Sequence, residues 1–154
     1  MTTSATVNNI ITTMMARITS NITSFGGTAT TPVVEGDNEP AAVDIFPSIY
    51  IVPLINGGDH MTQHMNDSAL WHEFPVTIVG FYKDYTVTNS LRTTRNYGYA
   101  MVDLFSGPSN YKITGTVGGA VVVDWNMEPM YWRVADYIVH NFVVRLSLKS
   151  VTGG

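Results

Sequence analysis

The sequence predicts an α+β fold: a mostly antiparallel sheet of about four strands, two helices packed on one side, and a long hairpin loop. Three observations predict it. Apolar residues recur at steps of three and four through residues 4–25, the period of one helix face. Four later runs are rich in β-branched and aromatic residues, and the last of them alternates from Phe142 to Lys149. The elements then follow as helix, strand–loop–strand, helix, strand–loop–strand, which suits helices segregated to one face of a sheet.

Each element has its own reason. In the first helix Val7, Ile10, Ile11, Met14, Met15, Ile18, Ile22 and Phe25 form the apolar face. Thr3 or Ser4 is placed to cap its start, and Gly26-Gly27 to supply a left-handed stop. Residues 26–42 read as an exposed connector. Residues 43–54 read as a strand marked by Pro47 and Pro53, residues 55–70 as a polar loop, and residues 71–82 as the strand that completes a long hairpin. A second helix is expected over 84–106, with Leu91, Tyr97 or Gly98, Met101, Leu104 and Phe105 in rough register, and Gly107-Pro108 ending it. Residues 111–126 read as a third strand with a bend at Gly118-Gly119, residues 127–133 as a loop, and residues 137–149 as the fourth strand. No repeat divides the chain, so residues 1–154 are expected to form one domain.

Composition narrows the function. The 154 residues include no cysteine, which removes disulfides, thiolate metal sites and cysteine nucleophiles. Charged residues make up 13% and the net charge is −4, with eight basic residues scattered along the chain. That is not a nucleic-acid footprint, nor a polybasic membrane patch. No run reaches the roughly 18 apolar residues of a membrane span. The N-terminus lacks the charged start and unbroken apolar run of a signal peptide, so use in a cytoplasm, or assembly there into something larger, is expected.

Few residues are arranged for chemistry. His60 and His64 are four apart with Asp59 and Asp67 nearby, but Gly57-Gly58 precedes them and a closed metal site needs more ligands. His72 and Glu73 are strand neighbours and should point to opposite faces. There is no GxSxG elbow, and the glycines of residues 115–119 do not match a phosphate-binding loop. Arg92 and Arg95, with Lys83, offer a weak anion or partner contact. Neither a metal, a cofactor nor a catalytic set is expected. The stretch containing Met127, Met130, Tyr131 and Trp132 is different, because these residue types are enriched at protein interfaces; Met61 and Met65 in the first loop are of the same kind.

The chain resembles the tail-terminator family of long-tailed bacteriophages, also called tail-completion or neck proteins. The apolar-striped helix from Ile10 to Phe25, the strand ending IYIVPL, the polar hairpin loop, WHEFPVTIVGFY, the helix ending LFSGP and the last strand YIVHNFVVRLSLK carry the resemblance. It covers nearly the whole chain and lies in element order, spacing and size; the Asn/Thr-rich first helix and the acidic segment Glu35–Glu39 depart from it.

The resemblance implies a structural virion protein, not an enzyme. Its subunits would form a six-fold ring at the head-proximal end of the tail tube, stop tube polymerisation and join the tail to the head-side connector. The partners implied are a second copy of itself, the tail tube protein and that connector, with assembly in the host cytoplasm. DNA would pass through the lumen without specific binding, and no membrane is involved. Asp59, His60, Met61, His64 and Met65 of the hairpin loop, with the Met127–Trp132 residues, are then the candidate contacts between subunits or rings. Glu35, Asp37, Glu39 and Asp67 are candidate lumen acids, which would repel passing DNA. Competing readings are another head–tail adaptor, a tube protein, a small-ligand-binding α+β domain lined by Trp71, Trp125 and Trp132, or an enzyme using His60, His64 or His72.

Overall fold

A computed structural model describes residues 3–36, 42–53, 61–66, 69–84, 90–113, 120–134 and 136–153, with backbone alone at 3, 61–66, 69–71, 84 and 151–153. The first helix, α1, spans Thr3–Ser20, and one 3₁₀ turn over Ile22–Phe25 prolongs it. Every apolar stripe residue is buried except Met15, which is half-buried. Gly26 ends the run in the left-handed region, φ 74°, as the sequence predicts. A Cβ there would stand 2.7 Å from the Tyr97 hydroxyl, so glycine serves both the turn and the close approach.

The strands are β1 (Val33–Glu35), β2 (Ser48–Pro53), β3 (Met61–Asn66), β4 (Ala69–Asp84), β5 (Lys112–Ile113), β6 (Ala120–Val134) and β7 (Tyr137–Gly153). They form one sheet in the order β1-β2-β4-β7-β6-β5, and β3 pairs with β4 beyond the end of β2. Every pairing is antiparallel except β1 with β2, which is parallel. The α+β class therefore matches expectation, whereas the strand count differs and the sheet is mixed, with one parallel pairing. The expected connector over 26–42 contains β1, and the expected polar loop over 55–70 contains β3. The expected loop over 127–133 is the second half of a continuous β6, and the single strand expected over 111–126 is divided between β5 and β6. Gly118 and Gly119 lie outside the described residues; the bulge that is described falls at Val123, between Val122 and Asp124.

The second helix, α2, covers Ser90–Ser106 and stops at Gly107 as expected, though it starts six residues later than the pattern suggested. Its buried face is Ser90, Thr94, Gly98, Met101, Val102 and Phe105. Both helices pack on one sheet face, where Ile49, Ile51, Val76, Ile78, Phe142, Val144, Leu146 and Leu148 meet them in one core. Across that face Ile49, Gly80, Phe142 and Pro129 lie side by side on β2, β4, β7 and β6. The opposite face holds a smaller core of Val43, Phe81 and Val139, with Phe46 and Tyr137 packed on it. Along β7 the alternation is the one the sequence predicts, with Val144, Leu146 and Leu148 inward.

Candidate functional site: the open edge of the sheet

β6 is paired along its whole length on one side only. β7 runs beside it from Ala120 to Val134, whereas β5 covers just Ala120 and Val121. Val122 N–H adds one bond to Tyr111 O at 2.9 Å. Beyond it, the outer edge of residues 124–134 has no strand beside it among the described residues. The bulge at Val123 resets the faces: Ala120 and Val122 point to the helices before it, and Trp125, Met127, Pro129, Tyr131 and Arg133 share that face after it.

Two observations give the direction of the backbone groups. Pro129 has no N–H, so it fits where the N–H would point away from β7. Trp125 N–H donates to its neighbour Asp124 Oδ1 at 2.8 Å rather than to β7. Both are odd-numbered, so the odd residues of this stretch turn their backbone groups outward. Met127, Tyr131 and Arg133 therefore present N–H groups along the edge.

The edge is also where apolar side chains are exposed. Of the eight exposed large apolar side chains among the described residues, six lie on β6 or on the segments flanking it: Tyr99, Tyr111, Val123, Trp125, Tyr131 and Trp132. Tyr131 is 56% exposed and Trp132 47%, on opposite faces of β6. Tyr131 lies 6.4 Å from the buried His140 ring. Glu128 meets Arg145 at 3.7 Å, but both are well exposed and the pair adds little stability.

The sequence-predicted contacts divide here. Tyr131 and Trp132 are surface residues, and Met130 is half-buried on the face away from the helices. Met127 is half-buried and packs beneath α2, where a Cβ on Gly98 would stand 2.8 Å from its sulfur. Met61, His64 and Met65 lie on the β3 backbone, with side chains outside the described residues, and Asp59, His60 and Asp67 lie outside altogether. His64 is in a strand, so the helical spacing that would align it with His60 does not apply. Of the lumen candidates Glu35 is exposed on β1, while Asp37 and Glu39 lie outside the described residues. His72 and Glu73 do point apart: His72 is buried opposite Ser150, and Glu73 meets Lys149 at 3.9 Å. Lys83 lies over the Tyr137 ring at 4.4 Å. No group of three or more His, Asp or Glu able to hold a metal occurs among the described residues. No helix among them is long and apolar enough to cross a membrane.

Composition did not reveal what anchors this region. Arg17 of α1 donates to Leu104 O at 3.1 Å, Asn110 O at 2.9 Å and Lys112 O at 2.9 Å, and its guanidinium lies 5.3 Å from the Phe105 ring centre. Partial burial lowers its pKa, yet an arginine stays charged. Tyr82 donates to Phe25 O at 2.7 Å and stacks on Tyr97. Burial, and then its neighbour Tyr97, push its hydroxyl pKa far above the ordinary tyrosine value.

No protein-family model matches the chain, and no curated protein does. Among solved structures the chain is similar to one from the virion of a native gene transfer agent particle, at 13% identity and a TM-score of 0.44, over 88% of this chain and 91% of that one.

Proposed function

We propose that the chain is a structural virion protein of the tail-terminator type, with no catalytic role and no cofactor. Copies assemble into a ring, six-fold by the family resemblance, at the head-proximal end of the tail tube. The ring stops tube polymerisation, meets the head-side connector, and lets DNA pass through its lumen without specific binding. Assembly takes place in the host cytoplasm. The observation that carries this reading is the outer β6 edge, which has no strand beside it beyond Val122 among the described residues and bears exposed aromatic residues on both faces, which suits a subunit that works by joining others. A ring joint is heterologous, so the β6 edge would meet a different surface of the next copy.

The test is a tube-capping assay with negative-stain imaging. Purified chain added to polymerising tube protein is expected to halt growth and leave a ring on the tube end. Tubes that grow unchanged, or long tubes formed by the chain alone, would sink the reading.

A further inference from the structure

Three cations are left without partners, and they stand at one corner of the molecule. Of the eight basic residues, Arg17 holds three carbonyls, Arg145 and Lys149 meet Glu128 and Glu73, and Lys83 and Lys112 lie over the Tyr137 and Tyr111 rings. Arg92, Arg95 and Arg133 are exposed and have no hydrogen bond or ion pair among the described residues. Asp136, exposed at the turn after β6, pairs with none of them.

The packing of α2 brings the three together. Arg17 ties Leu104 O to Lys112 O, so the C-terminal end of α2 lies by β5, and Gly98 at the helix middle meets Met127. The N-terminal half of α2 therefore runs toward the end of β6. Tyr97 stacks on Tyr82 of β4, and a helix turns about 100° per residue, so Tyr99 is on the other flank, beyond β6. Arg92, Arg95 and Tyr99 are three and four apart and share that flank. Tyr131 and Arg133 share the helix-side face of β6. From the contact of Gly98 with Met127, Arg95 and Arg92 are about 4.5 and 9 Å along the helix, and Tyr131 and Arg133 about 13 and 20 Å along the strand. Tyr131, 56% exposed, thus lies between the helix arginines and Arg133.

We propose that this corner is a docking site for a short acidic segment of a partner protein, with an apolar residue between its carboxylates. Guanidinium forks match carboxylates in a way that ammonium groups do not. The span from Arg95 to Arg133, about 15 Å, is that of four or five extended residues. Tyr131 at its middle receives the apolar residue, and the outward N–H groups of Tyr131 and Arg133 donate to the segment's backbone. Charge limits the length of the occupant. Asp103, four residues beyond Tyr99 on the same flank, closes the basic stretch, and the whole chain carries −4. A nucleic acid would carry its phosphates on past that carboxylate, whereas a short segment stops before it. The site goes beyond the ring reading and does not rest on it.

The test uses a fluorescent five-residue peptide, phenylalanine between two pairs of glutamates, with anisotropy read against increasing concentrations of the chain. Saturable binding is expected. Arg92→Gln with Arg133→Gln is expected to weaken it tenfold or more, and Tyr131→Ala at least threefold with every charge kept. Arg145→Gln with Lys149→Gln removes the same charge from the opposite sheet face and is expected to change it less than twofold. Circular dichroism checks that each variant is folded. No saturable binding, equal loss in the two double variants, or equal binding of a peptide with glutamine for glutamate overturns the proposal. So does tighter binding of a single-stranded oligonucleotide of the same charge, which makes the occupant a nucleic acid. Self-association abolished by Arg92→Gln with Arg133→Gln makes it a second copy and overturns the proposal as well. Failure of the capping assay alone leaves these readouts untouched.

Discussion

Gly80 and Phe142 are direct cross-strand partners on the helix face, and the contact between them has a calculable cost. A methyl group on Gly80 would stand 2.4 Å from Phe142 Cε1 and 2.6 Å from Cζ. The Phe142 ring has no easy retreat. It is fully buried, its neighbour Tyr82 lies 6.1 Å away, and its Cβ is only 3.1 Å from where a Cβ on Gly98 would be. Gly80→Ala should therefore cost about 1–3 kcal/mol for overpacking, offset by about 0.5–1 kcal/mol from the less flexible unfolded chain. The net loss is about 1–2 kcal/mol, or about 2–8 °C in Tm for a chain of this size. Phe142→Leu alone should cost about 1–2 kcal/mol, because most of the apolar volume remains. Combined, the two should cost less than their sum by about 1 kcal/mol, since leucine vacates the space the methyl needs. Urea unfolding of the four proteins measures the cycle. A double variant additive within about 0.3 kcal/mol, or a Gly80→Ala protein more stable than wild type, would refute the reasoning.

Three further predictions follow from the anchors. Arg17→Met keeps the apolar stem but abandons three carbonyls, two of them in exposed positions, and should cost about 1–2 kcal/mol in urea unfolding, with Arg17→Lys recovering less than half because an ammonium lacks the fork; a loss below about 0.5 kcal/mol would contradict it. Gly26→Ala combines a positive φ with a methyl 2.7 Å from the Tyr97 hydroxyl and should cost about 2 kcal/mol, read as a lowered Tm. Because the pKa of Tyr82 is raised on folding, its contribution is fully present below about pH 10 and is lost as the pH rises further and the unfolded chain ionises. Wild type should thus lose stability more steeply above pH 10 than Tyr82→Phe, while the variant is less stable at neutral pH for want of the bond to Phe25 O; parallel alkaline profiles would refute the assignment.

Legibility in the sequence followed periodicity. α1 was readable because one face supplies the whole apolar stripe, and β7 because Val144, Leu146 and Leu148 alternate with polar neighbours. β3 was not: Met61–Asn66 has no apolar alternation, and its pairing is provided by β4. β1 is three residues between Pro32 and Gly36, too short for any period. The second half of β6 was hidden twice. The bulge at Val123 shifts the alternation by one, and Pro129 reads as a strand breaker unless its missing N–H is known to face the edge. Residue types alone pointed to Tyr131 and Trp132, but could not separate them from Met127. That distinction comes from α2, whose Gly98 admits the Met127 side chain.

The same features that hid β6 also bear on its use. A strand edge left open by accident would be blunted along its length, with lysines or short pairing, and would carry few aromatic residues. β6 is blunted at two points only, by Asp124 holding Trp125 N–H and by Pro129, while Met127, Tyr131 and Arg133 keep outward donors. Between and beside those points the aromatic residues are exposed on both faces. A strand meeting this edge finds a donor missing at Pro129, and the proline ring standing where its own carbonyl would come. Pro129 and the held Trp125 N–H therefore interrupt strand pairing along this edge, and the exposed aromatic side chains on its two faces are what it offers for contact.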